Sequence, residues 1–137
     1  MNNTKVSIII PVYNGAEFIR RSFDSCLYQT LSEIEIIAIN DCSPNSRDAI
    51  IMREYETLYP GKFRALFHEN NKRQGGARNT GIYAARGEYF LCVDQDDFIR
   101  PEMCEEMYDY AITEDLDIVM CGFNSCNKGN DRRGSSQ

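Results

Sequence analysis

The feature that most constrains the fold of this chain is the regular alternation of short apolar runs with stretches of helical periodicity. The apolar runs are rich in β-branched or aromatic residues and predict strands over Val6 to Val12, Ile34 to Ile39, Phe63 to Phe67, Tyr89 to Val93 and Ile118 to Phe123. Between them, apolar residues recur at helical spacing around Phe23, Tyr55 and Met107. Such alternation requires crossover connections, which build parallel sheets. We therefore predict an α/β fold: a single domain with a mainly parallel sheet and helices on both faces.

Length and charge narrow the classes of function. The chain has 137 residues, which fits one domain with its own core. Fifteen basic and twenty-one acidic residues give a formal net charge of -6. That balance argues against nucleic acid as a partner, because nucleic-acid surfaces neutralise phosphates with clustered cations.

The cysteines and the N-terminal segment bear on the cellular compartment. Five of the six cysteines sit in or beside apolar runs, as buried reduced thiols do: Cys26, Cys42, Cys92, Cys104 and Cys121. Residues 1–5 lead directly into a short predicted strand, unlike a signal peptide, and no apolar run reaches the length of a membrane span. We expect a cytoplasmic location.

Polar loops follow three of the predicted strands at their carboxyl ends. They contain Pro11 to Gly15, Asp41 to Pro44 and Asp94 to Asp97. In open parallel sheets, ligands bind beyond the carboxyl ends of the strands. The sequence therefore predicts a ligand site where these loops converge.

The third loop carries three carboxylates: Asp94, Asp96 and Asp97. Two unit charges about 4 Å apart repel by about 4 kcal/mol at an intermediate dielectric, so a cation is the natural reason to keep them together. Carboxylate oxygens suit Mg²⁺ or Mn²⁺. The alternative is a solvated acidic turn that caps the next helix, and the position at the ligand edge favours the metal.

Two other segments have alternative interpretations. Asp41 either opens a turn through its side chain or accepts the imide hydrogen of a uracil-type base. Asn70 to Thr80 joins the third strand to a helix and carries three cations and two glycines, so it is either a solvated loop or an anion site. His68 is the only histidine, which leaves no material for a multi-histidine metal site, and we expect a structural role for it.

Taken in order, the blocks VSIIIPVYNG, IIAINDCSP, NNKRQGGARNTGI and YFLCVDQDDFIRPE resemble the family-two glycosyltransferases with the GT-A fold. The resemblance covers nearly the whole chain. It implies transfer of a sugar, with inversion, from a nucleoside-diphosphate sugar to an acceptor hydroxyl, with a UDP-sugar favoured and Mn²⁺ or Mg²⁺ as cofactor. It also implies a saccharide or lipid-linked acceptor in surface polysaccharide or glycolipid synthesis, and it is compatible with peripheral association at the inner membrane face.

The resemblance also implies roles for particular residues. The residues implied for nucleotide binding are Pro11, Tyr13, Asn14, Asp41, Arg73, Arg78 and Asp94. Those implied for the metal, as a DXD motif, are Asp96, Asp94 and Asp97. Asp41 is expected to contact the base, and the two arginines are candidates for base or phosphate contacts.

Departures from the family pattern leave other points open. Cys42 and Arg73 stand where family sequences often have Gly, so the path of those two loops is open.

We expect residues 1–126 to form the nucleotide-sugar-binding domain, truncated before the acceptor half, and 127–137 to form a mobile polar tail. The catalytic base is expected beyond Gln137, so this chain alone should bind donor but transfer sugar poorly or not at all.

Two alternative functions remain at this point. A non-catalytic nucleotide-sugar-binding module would keep the same fold without the acceptor half. A sugar nucleotidyltransferase would share the general sheet, but such enzymes usually carry a Gly-rich basic signature after the first strand, which Pro11 to Gly15 lacks.

Overall fold

The computed structural model describes residues 3–127 and 130–132 and confirms the α/β prediction. The four strands of the main sheet are β1 (Val6–Val12), β2 (Ile34–Asn40), β3 (Phe63–Phe67) and β4 (Tyr89–Cys92). The helices are α1 (Ile19–Leu27), α2 (Ser46–Leu58), α3 (Arg73–Ala84) and α4 (Met103–Thr113). All neighbouring strands pair in parallel, in the order β3-β2-β1-β4. Among the described helices, none is both long and apolar enough to cross a membrane.

The central strand β1 is buried on both faces, because successive side chains of a strand point to opposite sides. Ile8 and Ile10 belong to one apolar cluster with Phe23 of α1 and Met52 of α2. On the opposite face, Ile9 packs in a second cluster that includes Ala77 of α3, together with Ile37 and Ile39 of β2. The predicted helices on both faces are therefore confirmed.

Helix α3 packs closely against the sheet at Gly81, where there is no room for a side chain. A Cβ atom on Gly81 would lie 2.3 Å from Cγ2 of Ile9 and 2.9 Å from Cδ1 of Ile39, both far inside van der Waals contact. The absence of a side chain thus lets the helix backbone rest on β1 and β2. This contact fixes the direction of α3 and with it the position of the first turn of the helix.

Two expectations about local structure need correction. Helix α3 already begins at Arg73, so most of the segment 70–80 expected to join a strand to a helix is itself helical. The predicted strand from Ile118 to Phe123 is wrong: these residues form no strand, and Ile118, Met120 and Phe123 are 79%, 88% and 81% exposed. Strand propensity depends on packing and on a pairing partner. Among the described residues, β4 pairs with β1 alone.

The C-terminal segment contains a small antiparallel pair. Strand β5 (Ser125–Asn127) pairs with β6 (Asn130–Arg132). Residues 128–129 and 133–137 of the predicted mobile tail lie outside the described residues. The mobility of the tail and the domain boundary at residue 126 stay predictions.

The thiols divide into buried and exposed groups. Cys26 and Cys104 are buried as expected, and burial raises the pKa of the Cys26 thiol to about 12. Cys92 is half-buried, whereas Cys42 and Cys121 are exposed, so the expectation of burial is wrong for these two. An apolar neighbourhood in sequence does not bury a residue that lies in a turn or beyond the last packed helix. All five are free thiols, as predicted.

The close approach of α3 predicts opposite effects for two Gly→Ala substitutions in one helix. Gly81→Ala should lower the free energy of unfolding by about 1–3 kcal/mol, because the new methyl group overpacks Ile9 and Ile39. Gly75→Ala, where a Cβ meets no atom within 4 Å, should be neutral or stabilise by up to about 1 kcal/mol through helix propensity. Urea unfolding followed by circular dichroism measures both. Equal effects would show that close packing is not the reason for Gly81.

Candidate functional site

A cavity of about 510 Å³ opens at the carboxyl edge of the sheet. Its lining comes from the ends of β1, β2 and β4 and from the start of α3: Pro11, Val12, Tyr13, Asp41, Asn71, Arg73, Gln74, Ala77, Asp94, Gln95 and Asp96. The convergence of three polar loops predicted from the sequence is therefore present in the structure. The volume lies in the range usual for small-molecule sites, about 300–1,000 Å³.

Most of the residues expected at the site line this cavity. Of the expected nucleotide contacts, five are in the lining: Pro11, Tyr13, Asp41, Arg73 and Asp94. Asn14 and Arg78 lie outside it, and of the expected metal ligands Asp96 and Asp94 line it whereas Asp97 lies beside it. The lining residues that the sequence did not single out include Asn71, Gln74 and Gln95. The first two lie in the basic segment, but only the position of the α3 start reveals that they face the edge.

Asp41 is held by α3 and by the end of β3. Its Oδ1 accepts hydrogen bonds from Nδ1 of His68 (2.8 Å) and from the backbone N–H of Lys72 (2.7 Å). The side chain is 5% exposed, and Oδ2 receives no hydrogen bond from any residue that the structure describes. The turn after β2 uses a different acceptor, because Oδ1 of Asn40 receives the N–H of Ser43 (2.9 Å). Asp41 is thus not the turn opener that the sequence allowed.

The loop after β1 is held in position by the buried carboxylate of Asp48, which the sequence did not indicate. Asp48, in the first turn of α2, is 0% exposed, and its Oδ2 accepts from the Ser43 hydroxyl (2.6 Å) and from the backbone N–H of Gly15 (3.1 Å). The same hydroxyl oxygen accepts the backbone N–H of Asn14 (2.9 Å). Asn14 therefore contributes through its backbone, held at a φ of 49°. An acidic residue in a first helical turn is favourable by itself, so no local signal pointed to this role.

Gln95 joins the acidic loop to the loop after β1. Its Oε1 accepts the backbone N–H of Tyr13 (2.9 Å), and its Nε2 donates to the carbonyl of the same residue (2.9 Å). Gly15 leaves room for this side chain, because a Cβ there would lie 2.3 Å from Oε1 of Gln95. The residue between Asp94 and Asp96 thus behaves like an added strand partner for Tyr13.

The three carboxylates of the acidic loop form a compact cluster. Asp94, Asp96 and Asp97 can each offer one oxygen, with all three atoms within 4.8 Å of one another. Burial, followed by repulsion from Asp96 and then Asp94, raises the pKa of Asp97. Such a set of hard oxygen donors under mutual repulsion fits a divalent cation such as Mg²⁺ or Mn²⁺.

Neighbouring side chains fix Asp94 within this cluster. Its Oδ1 accepts from Nε2 of Gln74 (3.1 Å) and from the guanidinium of Arg78 (3.2 Å). Arg78 therefore braces the acidic loop. The alternative of a helix-capping acidic turn finds no support, because the next helix, α4, has Glu102 at its N-cap position and no side-chain cap.

Left-handed backbone occurs at the two positions where the sequence departs from the family pattern. Cys42 has a φ of 56° and Arg73 a φ of 65°. Glycine adopts this region freely, whereas other residues pay about 1–2 kcal/mol. Both loops therefore keep a backbone path typical of glycine. Arg73 is the first residue of α3, and it lines the cavity.

Solved structures share this architecture. The Staphylococcus aureus protein TarS, residues 1–349, solved in complex with UDP-GlcNAc, superposes with a TM-score of 0.72 at 27% sequence identity, over 80% of this chain and 32% of TarS. The mannosyltransferase PcManGT from Pyrobaculum calidifontis, solved with GDP-Man and Mn²⁺, superposes with a TM-score of 0.62 over 69% of this chain and 28% of that protein. At 22% identity the second likeness concerns the fold alone. The fold is GT-A.

Sequence comparison identifies the family. The profile described as "Glycosyl transferase family 2" matches residues 7–137. A Bacillus subtilis (strain 168) protein, described as the uncharacterized glycosyltransferase EpsJ, is 44% identical over 128 residues, covering 93% of this chain and 36% of EpsJ. The chain thus spans about a third of the length of the curated relatives it matches. It belongs to glycosyl transferase family 2.

Proposed function

We propose that this chain carries the donor site of an inverting glycosyltransferase, which binds a nucleoside-diphosphate sugar, with a UDP-sugar favoured. The observation that carries the proposal is one cavity of about 510 Å³ whose lining includes an aromatic ring and a buried carboxylate, Tyr13 and Asp41, together with the acidic pair Asp94 and Asp96. In this proposal Tyr13 and Asp41 form the nucleoside end of the site, and Asp94 and Asp96 belong to its diphosphate end.

The nucleoside end offers a ring and an acceptor. The Tyr13 side chain is 47% exposed beside Pro11 and provides a flat apolar surface for a base. Asp41 has a free carboxylate oxygen, Oδ2, that suits an N–H donor on the base. The complex of TarS with UDP-GlcNAc supports a uracil base here, because that protein is similar in fold and in sequence.

The diphosphate end offers positive charge and metal ligands. The first turn of α3 contains no acidic residue, and its backbone N–H groups favour an anion. Arg73 lies at this start and can form paired hydrogen bonds to phosphate oxygens. Asp96, with Asp94 and Asp97 beside it, would hold Mg²⁺ or Mn²⁺. When bound, the cation supplies Lewis-acid stabilisation of the charge that grows on the leaving diphosphate.

In the proposed reaction the acceptor oxygen forms a bond to the anomeric carbon while the bond from that carbon to the diphosphate oxygen breaks. The nucleoside diphosphate leaves with the bonding electrons, and the acceptor proton passes to a base. The described residues hold the donor and orient its leaving group toward α3 and Arg73, and we assign none of them as the base. A surface-polysaccharide or lipid-linked acceptor and a cytoplasmic site at the inner membrane face stay predictions from the resemblance.

The metal component predicts that donor binding depends on a divalent cation. Calorimetric titration of UDP should give binding that is at least about tenfold tighter with Mn²⁺ than with EDTA, and Asp96→Asn should lose that difference because the amide is a poorer ligand. Asp109→Asn changes an exposed residue of α4 that does not line the cavity; it is the matched control and should bind like the unmodified chain. A UDP affinity that is the same with Mn²⁺ and with EDTA would contradict the metal site. No nucleotide binding in any condition would contradict the donor site.

The second prediction separates the diphosphate end from the nucleoside end. Arg73→Gly should weaken UDP binding by about tenfold, the usual scale for a hydrogen bond to a charged group, and should leave uridine binding unchanged. Glycine also fits the φ of 65° at this position, so a loss of UDP affinity cannot come from backbone distortion. Thermal unfolding of the variant, measured alongside, should show no loss of stability. An equal loss for UDP and uridine would place Arg73 away from the diphosphate.

A further inference from the structure

We propose that His68 sets the base specificity of this site. Its ring contacts one oxygen of Asp41, so only the other oxygen is open to accept an N–H of the base. The carboxylate therefore selects uracil over guanine. The inference rests on the proposed function and deepens it. His68 would act through Asp41 and so is a positioning residue.

The imidazole of His68 is anchored at both ring nitrogens. Its side chain is 6% exposed between the end of β3 and α3. Nδ1 lies 2.8 Å from Oδ1 of Asp41, and Nε2 lies 2.8 Å from Oγ1 of Thr80. The Thr80 oxygen also lies 3.1 Å from the carbonyl of Gly76, one turn earlier in α3. The ring therefore has one orientation, and that orientation is tied to α3.

The hydrogen-bond inventory of Asp41 follows from these contacts. A carboxylate oxygen accepts, so we assign the donor role in this contact to Nδ1 of His68. The backbone N–H of Lys72 donates to the same oxygen (2.7 Å), so Oδ1 serves two donors and both of its lone pairs are used. Oδ2 has no donor among the described residues, and Asp41 lines the cavity. The site thus presents one open acceptor oxygen.

The bases differ in what they offer such an oxygen. The edge of uracil presents one N–H, at N3, flanked by two carbonyls, and one acceptor satisfies it. Guanine presents two adjacent donors, N1–H and the N2 amino group, and a carboxylate pairs with both only if both of its oxygens are open. Cytosine places a lone pair at N3, which a carboxylate repels. With Oδ1 filled, guanine would leave a buried donor unpaired, and this is strongly unfavourable.

A purely structural role for His68 predicts a different pattern. The ring would then only join β3 to α3. Its loss would lower the stability of the protein and weaken the binding of all nucleotides by a similar factor. A role in specificity changes the ratio of affinities for UDP and GDP. The ratio is therefore the informative measurement.

The test compares variants that keep or remove one ring contact at a time. His68→Asn places an amide N–H near the position of Nδ1 and keeps a donor to Asp41. His68→Gln places its amide near Nε2, toward Thr80, and His68→Leu removes both ring contacts. Thr80→Val removes the Nε2 partner and leaves the contact with Asp41, so it is the matched control for the structural tie.

Calorimetric dissociation constants for UDP and GDP, measured with Mn²⁺ on the whole chain, give the ratio for each variant. We expect the unmodified chain to bind UDP at least about tenfold more tightly than GDP, a factor typical of one unpaired polar group. His68→Leu and His68→Gln should reduce this preference about tenfold. His68→Asn should retain it, and Thr80→Val should retain it within about twofold even if its melting temperature falls.

The outcomes separate this inference from the proposed function. Equal weakening of UDP and GDP by His68→Leu, or a GDP affinity of the unmodified chain that matches its UDP affinity, would overturn the inference and leave the donor site in place. An unmodified chain that binds no nucleotide would instead overturn the proposed function. If His68→Leu does not fold, the comparison of His68→Asn with His68→Gln decides: the same ratio in both variants would overturn the role in specificity.

Discussion

The parallel pairing of β1 with β2 on one side and β4 on the other is the interaction on which the site depends. Parallel strands run in one direction, so the loops that follow them leave the sheet at a single edge. Asp41 and Asp94 are 53 positions apart in the sequence. They line one cavity because they follow β2 and β4, which flank β1. Burial of β1 on both faces stabilises this arrangement, since Ile8, Ile9 and Ile10 are fully buried.

The loops at this edge have little regular structure, and polar side chains hold them in place. Asp48 accepts from the loop after β1, and Asp41 accepts from the chain that enters α3. Gln95 pairs with both backbone groups of Tyr13. A side-chain acceptor of this kind gives loop N–H groups the partner that a strand or helix would otherwise supply. The cavity walls are therefore set by polar contacts, whereas the sheet beneath them is set by apolar packing.

Charge is distributed unevenly across the cavity. Arg78 and Gln74 occupy an oxygen of Asp94, while the pKa of Asp97 is raised by burial and by its two acidic neighbours. The start of α3 contributes the opposite sign through Arg73 and the positive end of the helix dipole. A ligand with a diphosphate and an accompanying cation would balance both sets of charges, which is the electrostatic reason for the proposed donor.

The sequence by itself determined the four strands of the main sheet, the convergence of the polar loops and the acidic cluster, because burial patterns and residue order are local properties of the chain. It failed at residues 118–123, where β-branched composition met no pairing strand among the described residues. The hydrogen-bond partners of His68, Asp48 and Gln95 were decided only by the tertiary structure. Gln95 bonds Tyr13 across 82 positions, and Asp48 bonds Gly15 across 33. A side chain's choice of such a distant partner depends on how the elements pack, and no local pattern records it.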